Sequence, residues 1–300
     1  MLKRWTGGAL LALVLGCNAL AETMTVRLAE NAMPTNPLIL YRKELIELAL
    51  QAAGFEAKVT FCKLPGGGSS DRRMIREVQE GLRCDLLATS SGGEASQALQ
   101  LVPVPIYLGG GDLRVWLMSR ASLEHLEQPG AYDNLRRLRL GSGTSWADTR
   151  IWELNGYSVE KSDYARLFEM LAAGRFDAYP RSVFEITAEY AALDPAVFAI
   201  EPKLLFRMNT GIFFYVSPRN TLLGKALTRG LHRLYCTGEF EQFMRRQRST
   251  RDAFRTLLTG PRRVVELATP EPPAQESRAL RDYVPSWLDA QGRDRTCTRP

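Results

Sequence analysis

Met24, Val26 and Leu28 alternate with Thr25, Arg27 and Ala29, and this period of two predicts a first strand. A helix follows, with Asn36 as its cap and Pro37 in its first position. Tyr41, Leu45, Leu48 and Ala52 then recur on one helical face, and Gly54 ends the run. Ala57, Val59 and Phe61 alternate as a second strand. Beyond the Gly66-Gly67-Gly68 turn, residues 70–80 read as a helix stopped by Gly81, and Asp85 to Ala88 as a short apolar strand. The order strand–helix–strand–helix–strand predicts a mainly parallel sheet with helices on its faces.

Residues 101–107 hold two prolines and are therefore extended rather than helical. Gly109-Gly110-Gly111 follows, as a hinge between domains or as an ordinary loop. Leu113 to Met118 begins a second alternation. Strands are expected at 138–140, 157–159, 176–179 and 211–216, and helices at 146–154, 163–173, 183–192, 220–235 and 239–247. From Pro261 the chain is rich in Pro, Arg and Glu without clear periodicity, and is expected to be a loose tail.

The N-terminus bears on compartment. Lys3 and Arg4 precede a short apolar run, Ala9 to Gly16, and Ala19-Leu20-Ala21 has the small–x–small form of a cleavage site. This predicts a secretory signal peptide over residues 1–21 and a periplasmic location. Val14-Leu15-Gly16-Cys17 also resembles a lipobox, which would place a lipid anchor on Cys17. The charge of +6 falls to +4 once Lys3 and Arg4 are removed, and the basic residues are scattered, so no nucleic-acid partner is expected. Cleavage at Ala21 would leave Cys62, Cys84, Cys236 and Cys297, and an exported protein can oxidise them. Three pairings are open, and so is the alternative that some thiols stay free. With two histidines and no Cys-x-x-Cys, neither a metal nor another cofactor is expected.

Several motifs resemble bacterial extracellular solute-binding proteins of family 3, the polar amino-acid type served by ABC transporters. Glu80 to Leu86 and Leu167 to Ala178 each look like that family's helix, glycine stop and Asp-headed strand. Leu138 to Thr144 looks like its second-lobe strand and ligand loop, and Gly211 to Ser217 like its return strand. The resemblance spans roughly residues 24–248. It implies an α/β, two-lobed periplasmic-binding-protein-like (type II) fold with two hinge crossings. Lobe 1 would take residues 22–109 plus 209–260, lobe 2 residues 110–208, and the tail residues 261–300. It further implies a ligand in the interlobe cleft and closure of the lobes upon it.

Gly141 to Trp146 follows a strand and opens a helix, where free backbone N–H groups favour an anion. Gly143, Thr144, Ser145 and Trp146 are the candidates there, although Ser145 with Asp148 also makes a capping box. Ser90 and Ser91 follow the third strand and offer donors from the facing wall. Two departures from the family then stand out. No Arg lies between Thr89 and Gln100, where amino-acid binders usually carry one, so Arg114 is the substitute. Arg181 or Ser182 stands where those binders usually carry an acid. An Arg at that point suits a carboxylate or phosphate, which favours an anionic or modified ligand. Tyr107 and Trp146 are candidates for stacking on the ligand, whereas Trp116 is expected in the core. Glu30 ends the first strand at its carboxyl edge and is expected at the cleft.

These readings favour a monomeric, non-catalytic binding protein for a small polar solute, working with an inner-membrane ABC permease or a membrane sensor. The alternative is a small-acid dehydratase-like enzyme on the same fold, for which Glu30 and Glu185 are the candidate acids.

Overall fold

The computed structural model describes residues 23–30, 37–62, 71–144, 146–258, 260–285, 287 and 297. The expected signal peptide with Cys17, the Asn36 cap, the Gly66-Gly67-Gly68 turn and Ser145 lie outside them.

Strand β1 (Thr23–Ala29) buries Val26 and Leu28 completely, as its alternation predicts. Helix α1 (Pro37–Ala52), strand β2 (Glu56–Phe61), helix α2 (Asp71–Glu80) and strand β3 (Leu86–Ser90) complete the first alternation. A short helix α3 (Glu94–Ala98) leads to β4 (Gln100–Leu101). The chain then crosses to β5 (Leu113–Ser119) and α4 (Arg120–Leu126). The second alternation comprises β6 (Arg139–Gly143), α5 (Ala147–Leu154), β7 (Ser158–Ser162), α6 (Tyr164–Ala172), β8 (Ala178–Ser182) and α7 (Ile186–Tyr190). Strands β9 (Phe198–Ile200) and β10 (Leu204–Arg207) precede the second crossing, and β11 (Ile212–Val216) returns to the first sheet. Helices α8 (Thr221–Thr237), α9 (Glu239–Arg246) and α10 (Arg248–Thr256) follow, then β12 (Arg263–Glu266) and α11 (Ala274–Asp282).

The strands form two sheets, ordered β2-β1-β3-β11-β4 and β12-β10-β5-β8-β6-β7, with β9 also paired to β5. Both are more antiparallel than the alternation suggests. Strand β1 pairs in parallel with β2 and β3, and β6 with β7 and β8. β11 and β5 run against their neighbours. The cause is the crossings: a strand entering a lobe from the other lobe starts at the shared edge, where β3 and β6 end.

Each lobe repeats one staple. Arg27 on β1 binds Asp85, just before β3, through Nε and Nη2 at 3.0 and 2.9 Å, and reaches the Gly81 carbonyl. Arg139 on β6 binds Asp177, just before β8, and reaches the Gly174 carbonyl at 3.1 Å. In both, the Asp carboxylate also accepts from the Arg backbone N–H, at 2.8 and 2.7 Å. The two helix–glycine–Asp motifs in the sequence are therefore parts of the same local device.

Helix α1 packs closely on α8. A Cβ at Gly230 would lie 1.8 Å from the Ala49 carbonyl oxygen, so only glycine permits this approach. Cys62 is bonded to Cys84 and Cys236 to Cys297, which selects one of the three pairings.

Over residues 261–285, the continuously described part of the expected loose tail, the chain is structured. β12 pairs in parallel with β10, and Val265 and Leu267 join the lobe 2 cluster around Trp116, Trp152 and Phe206. α11 packs on the other lobe, where Ala279 and Leu280 join the cluster around Phe213 and Tyr215. Its order comes from tertiary pairing, which leaves little periodicity in so short a strand and helix. Among the described residues, no helix is long and apolar enough to cross a membrane.

Candidate functional site

The crossings lie side by side. Asp112 ends the first, and its carboxylate accepts hydrogen bonds from the Gly211 N–H at 2.8 and 2.9 Å and the Thr210 hydroxyl at 2.9 Å on the second. Burial pushes the Asp112 carboxyl up to about 6, against the lowering effect of those bonds and of Arg114. Gly110 is packed against Phe184 and Trp287, so the glycine run is a crossing held in place by its neighbours.

Between the sheets is a cleft of about 1120 Å³. Its first wall is the turn after β3. Ser90, Ser91, Gly92 and Gly93 line it. The Ser91 hydroxyl is buried without a hydrogen-bond partner, whereas its N–H binds the Gly211 carbonyl. The second wall is the β6–α5 junction, where Thr144 and Trp146 line the cleft and Gly143 lies behind them. Glycine is required at 143 because a Cβ would sit 2.4 Å from the Trp146 ring. The Ala147 and Asp148 N–H groups at the start of α5 have no acceptor among the described residues.

Arg114 and Arg181 reach the cleft from β5 and β8, and Ser182 lines it beside them. Arg114 Nε donates to Asp148 at 2.7 Å, and its Nη1 to the Gly111 carbonyl at 2.7 Å. Asp148 thus faces β5. Arg181 is already occupied. Its guanidinium binds Glu189 through Nε at 2.8 Å and again through Nη2, which also binds Glu185 at 3.1 Å. It lies over the rings of Trp146, Tyr164 and Tyr179 at 5.2, 5.4 and 5.0 Å. Burial opposes its charge, but Glu189 and Glu185 hold its pKa well above the ordinary Arg value. The expected anion grip is therefore an internal cation box filled by the protein's own side chain.

Two more candidates lie away from the lining. Glu30 binds Arg42 Nη1 through both oxygens, at 2.9 and 3.0 Å. Tyr107 is 2% exposed and stacks on Tyr41 at 4.8 Å, with Phe184 at 5.6 Å. It is core, because the extended stretch that carries it is clamped under α1. Trp116 is core as expected, stacked on Phe206.

The lining also holds residues that the local motifs did not single out: Arg72, Glu94, Arg150, Glu153, Lys161 and Glu271. Arg72 pairs with Glu94 and Lys161 with Glu153. The lining cations are Arg72, Arg114, Arg150, Lys161 and Arg181, and the acids are Glu94, Asp148, Glu153, Glu185 and Glu271. Among the described residues five stand against five, so this lining lacks the positive excess that an anionic ligand would favour. Among the described residues, Arg150 and Glu271 alone in that set make no ion pair. Charged residues on helices and strands read as solvated faces, as for those on α2, α3, α5 and β7, and Glu271 lies beyond the part of the chain with recognisable motifs. Among the described residues, no group of three or more His, Cys, Asp or Glu is placed to hold a metal ion.

No family model and no curated protein matches the chain. Solved structures match its fold. The second substrate-binding domain of an amino acid ABC transporter from Streptococcus pneumoniae aligns over 75% of this chain and 99% of its own, with a TM-score of 0.51 and 17% identity. The VFT2 domain of BvgS from Bordetella pertussis covers 75% of this chain and 93% of its own, with a TM-score of 0.51 and 12% identity. A binding component of an ABC transporter from Wolinella succinogenes, complexed with lysine, covers 76% and 96%, with a TM-score of 0.50 and 12% identity. These likenesses establish the two-lobed periplasmic-binding-protein-like fold.

Proposed function

We propose that this chain is an exported solute-binding protein that captures a small, amino-acid-like molecule between its lobes and delivers it to an inner-membrane ABC permease. The observation that carries this reading is the polar cleft itself. Its walls come from two sheets joined by paired crossings, and each wall offers donors: the Ser91 hydroxyl on one side, the first N–H groups of α5 on the other. A ligand that touches both walls only when they approach shifts the molecule toward closure. The balanced charge of the lining suits a zwitterion better than a plain anion. That two similar folds belong to ABC transport systems, one of them complexed with lysine, supports the same choice.

Acid–base catalysis is not part of the proposal. Glu30 is held by Arg42, and Glu185 by Arg181, so neither dehydratase candidate is placed as a free acid in the cleft.

Thermal unfolding of the purified protein with each of the common L-amino acids tests the reading. At a ligand concentration of about 100 times Kd, stability rises by about 2.7 kcal/mol, and the melting temperature rises by about 5 °C or more. The amino acid should be recovered unchanged. A flat response across the set, or its chemical conversion, would overturn the proposal.

A further inference from the structure

After α10 on lobe 1 the chain passes to lobe 2 at β12 and then returns across the cleft to α11, its fourth passage between the lobes. On lobe 2, Arg263 to Glu266 pair with Leu204 to Arg207. The Asn155 side chain then clasps the Ala268 backbone, donating to its carbonyl and accepting from its N–H, both at 2.8 Å. Pro270, Glu271 and Pro272 run along the cleft and form part of its lining. On lobe 1, Glu276 is 1% exposed. It accepts from the Tyr215 hydroxyl at 2.7 Å and from the Gly92 N–H at 2.9 Å, on the first wall of the cleft. The Cys236–Cys297 disulfide fixes the chain to α8 of the same lobe. Prolines at 270, 272 and 273 restrict the backbone between these anchors, so the strap holds its course.

Charge then singles out one residue. Of the ten charged side chains in the lining, Arg150 and Glu271 are the two that form no ion pair among the described residues. The other carboxylates are neutralised from within and have less to offer a cation. Glu271 is exposed, and it comes from the strap rather than from either sheet. We propose that this strap is a third wall of the binding site and that Glu271 receives the ammonium group of a zwitterionic ligand. Arg150 is the counterpart for the ligand's carboxylate. The inference rests on the solute-binding reading and adds to it the residue that selects for a free amine.

Calorimetric titration of the full chain with L-glutamine, L-lysine and L-arginine, and with their Nα-acetyl derivatives, tests it. Glu271→Gln keeps the shape and removes the charge. The expected result is at least tenfold weaker binding of the free amino acids by Glu271→Gln. With Nα-acetylglutamine, which has no ammonium group, variant and parent should agree within twofold. A variant that binds the free amino acids within twofold of the parent overturns the role of Glu271 and leaves the solute-binding reading standing. If the parent binds none of the three, this inference fails, whereas the amino-acid reading falls only with a flat response across the full set of common L-amino acids.

Discussion

Arg181 shows how far residue type alone can mislead. An Arg at the end of a strand beside the cleft has the chemistry to hold an anion, and the sequence supports that much. It does not show that Glu185 and Glu189, one and two helical turns away, fold back onto the same guanidinium, or that three aromatic rings surround it. Glu30 and Tyr107 mislead in the same way, because Arg42 and Tyr41 reach them from α1. Ser90, Ser91, Thr144, Trp146 and Ser182 were legible as lining because each follows or ends a strand at its cleft edge, and Arg114 because it opens β5 just past the first crossing. Removing Arg181 would strand Glu189 in a mostly buried site. Arg181→Ala is therefore expected to lose about 3 kcal/mol in urea unfolding. Methylguanidine at millimolar concentration should restore part of that loss by filling the vacated box, with no gain for the parent. Equal stability of parent and variant would show that the box contributes nothing.

At the scale of elements, helix α8 makes a sharper test than propensity alone would suggest. Glycine in a helix interior costs about 1 kcal/mol relative to alanine, so Gly230→Ala should stabilise an isolated helix. Here the new methyl would meet the Ala49 backbone, and α1 would have to move away. Overpacking of this kind costs about 1–3 kcal/mol or more. The variant is therefore expected to be less stable by at least about 1 kcal/mol, as read from its denaturant midpoint, and a stabilised variant would mean that the two helices are not so close. The sequence showed most elements of both alternations because their apolar periods are local. It did not show α3, α4, β9, β10, α10, β12 or α11, which are short and owe their form to pairing and packing. Nor did it show that Asp85 and Asp177 answer to Arg27 and Arg139, since those partners are far apart along the chain.

For the whole molecule, the point of control is where the crossings meet. Asp112 is 3% exposed and links the two through Gly211 and Thr210, with Arg114 and Asp148 as its charged neighbours. Burial raises this acid from 3.8 to about 6, so between these values the unfolded chain has released a proton that the folded chain still holds. Stability from this site is therefore present below about pH 4 and is lost as the pH rises through about 6. Two pH units correspond to about 3 kcal/mol. Asn at this position keeps an acceptor for Gly211 and does not titrate. The stability of the parent relative to Asp112→Asn should thus fall by about 2–3 kcal/mol between pH 4 and pH 7. A difference independent of pH would remove Asp112 as the titrating group. Two lobes and two crossings were implied by the family resemblance of the motifs, while the glycine run at 109–111 alone left hinge and loop open. The two later passages, α10 to β12 and β12 to α11, were not, because nothing local to the sequence beyond α10 shows which lobe each element joins.

The two disulfides also impose a timetable on biogenesis. Cys62 and Cys84 are separated by 22 residues and Cys236 and Cys297 by 61. Closing loops of these lengths constrains the unfolded chain by about 3 and about 4 kcal/mol. The short loop can be oxidised while synthesis is still under way. The Cys236 thiol must wait until another 61 residues have emerged. A nascent chain therefore passes through a stage with both lobes in hand and the strap still unfastened. Oxidation at Cys236 is the late step that turns a two-sided clasp into a buckled one.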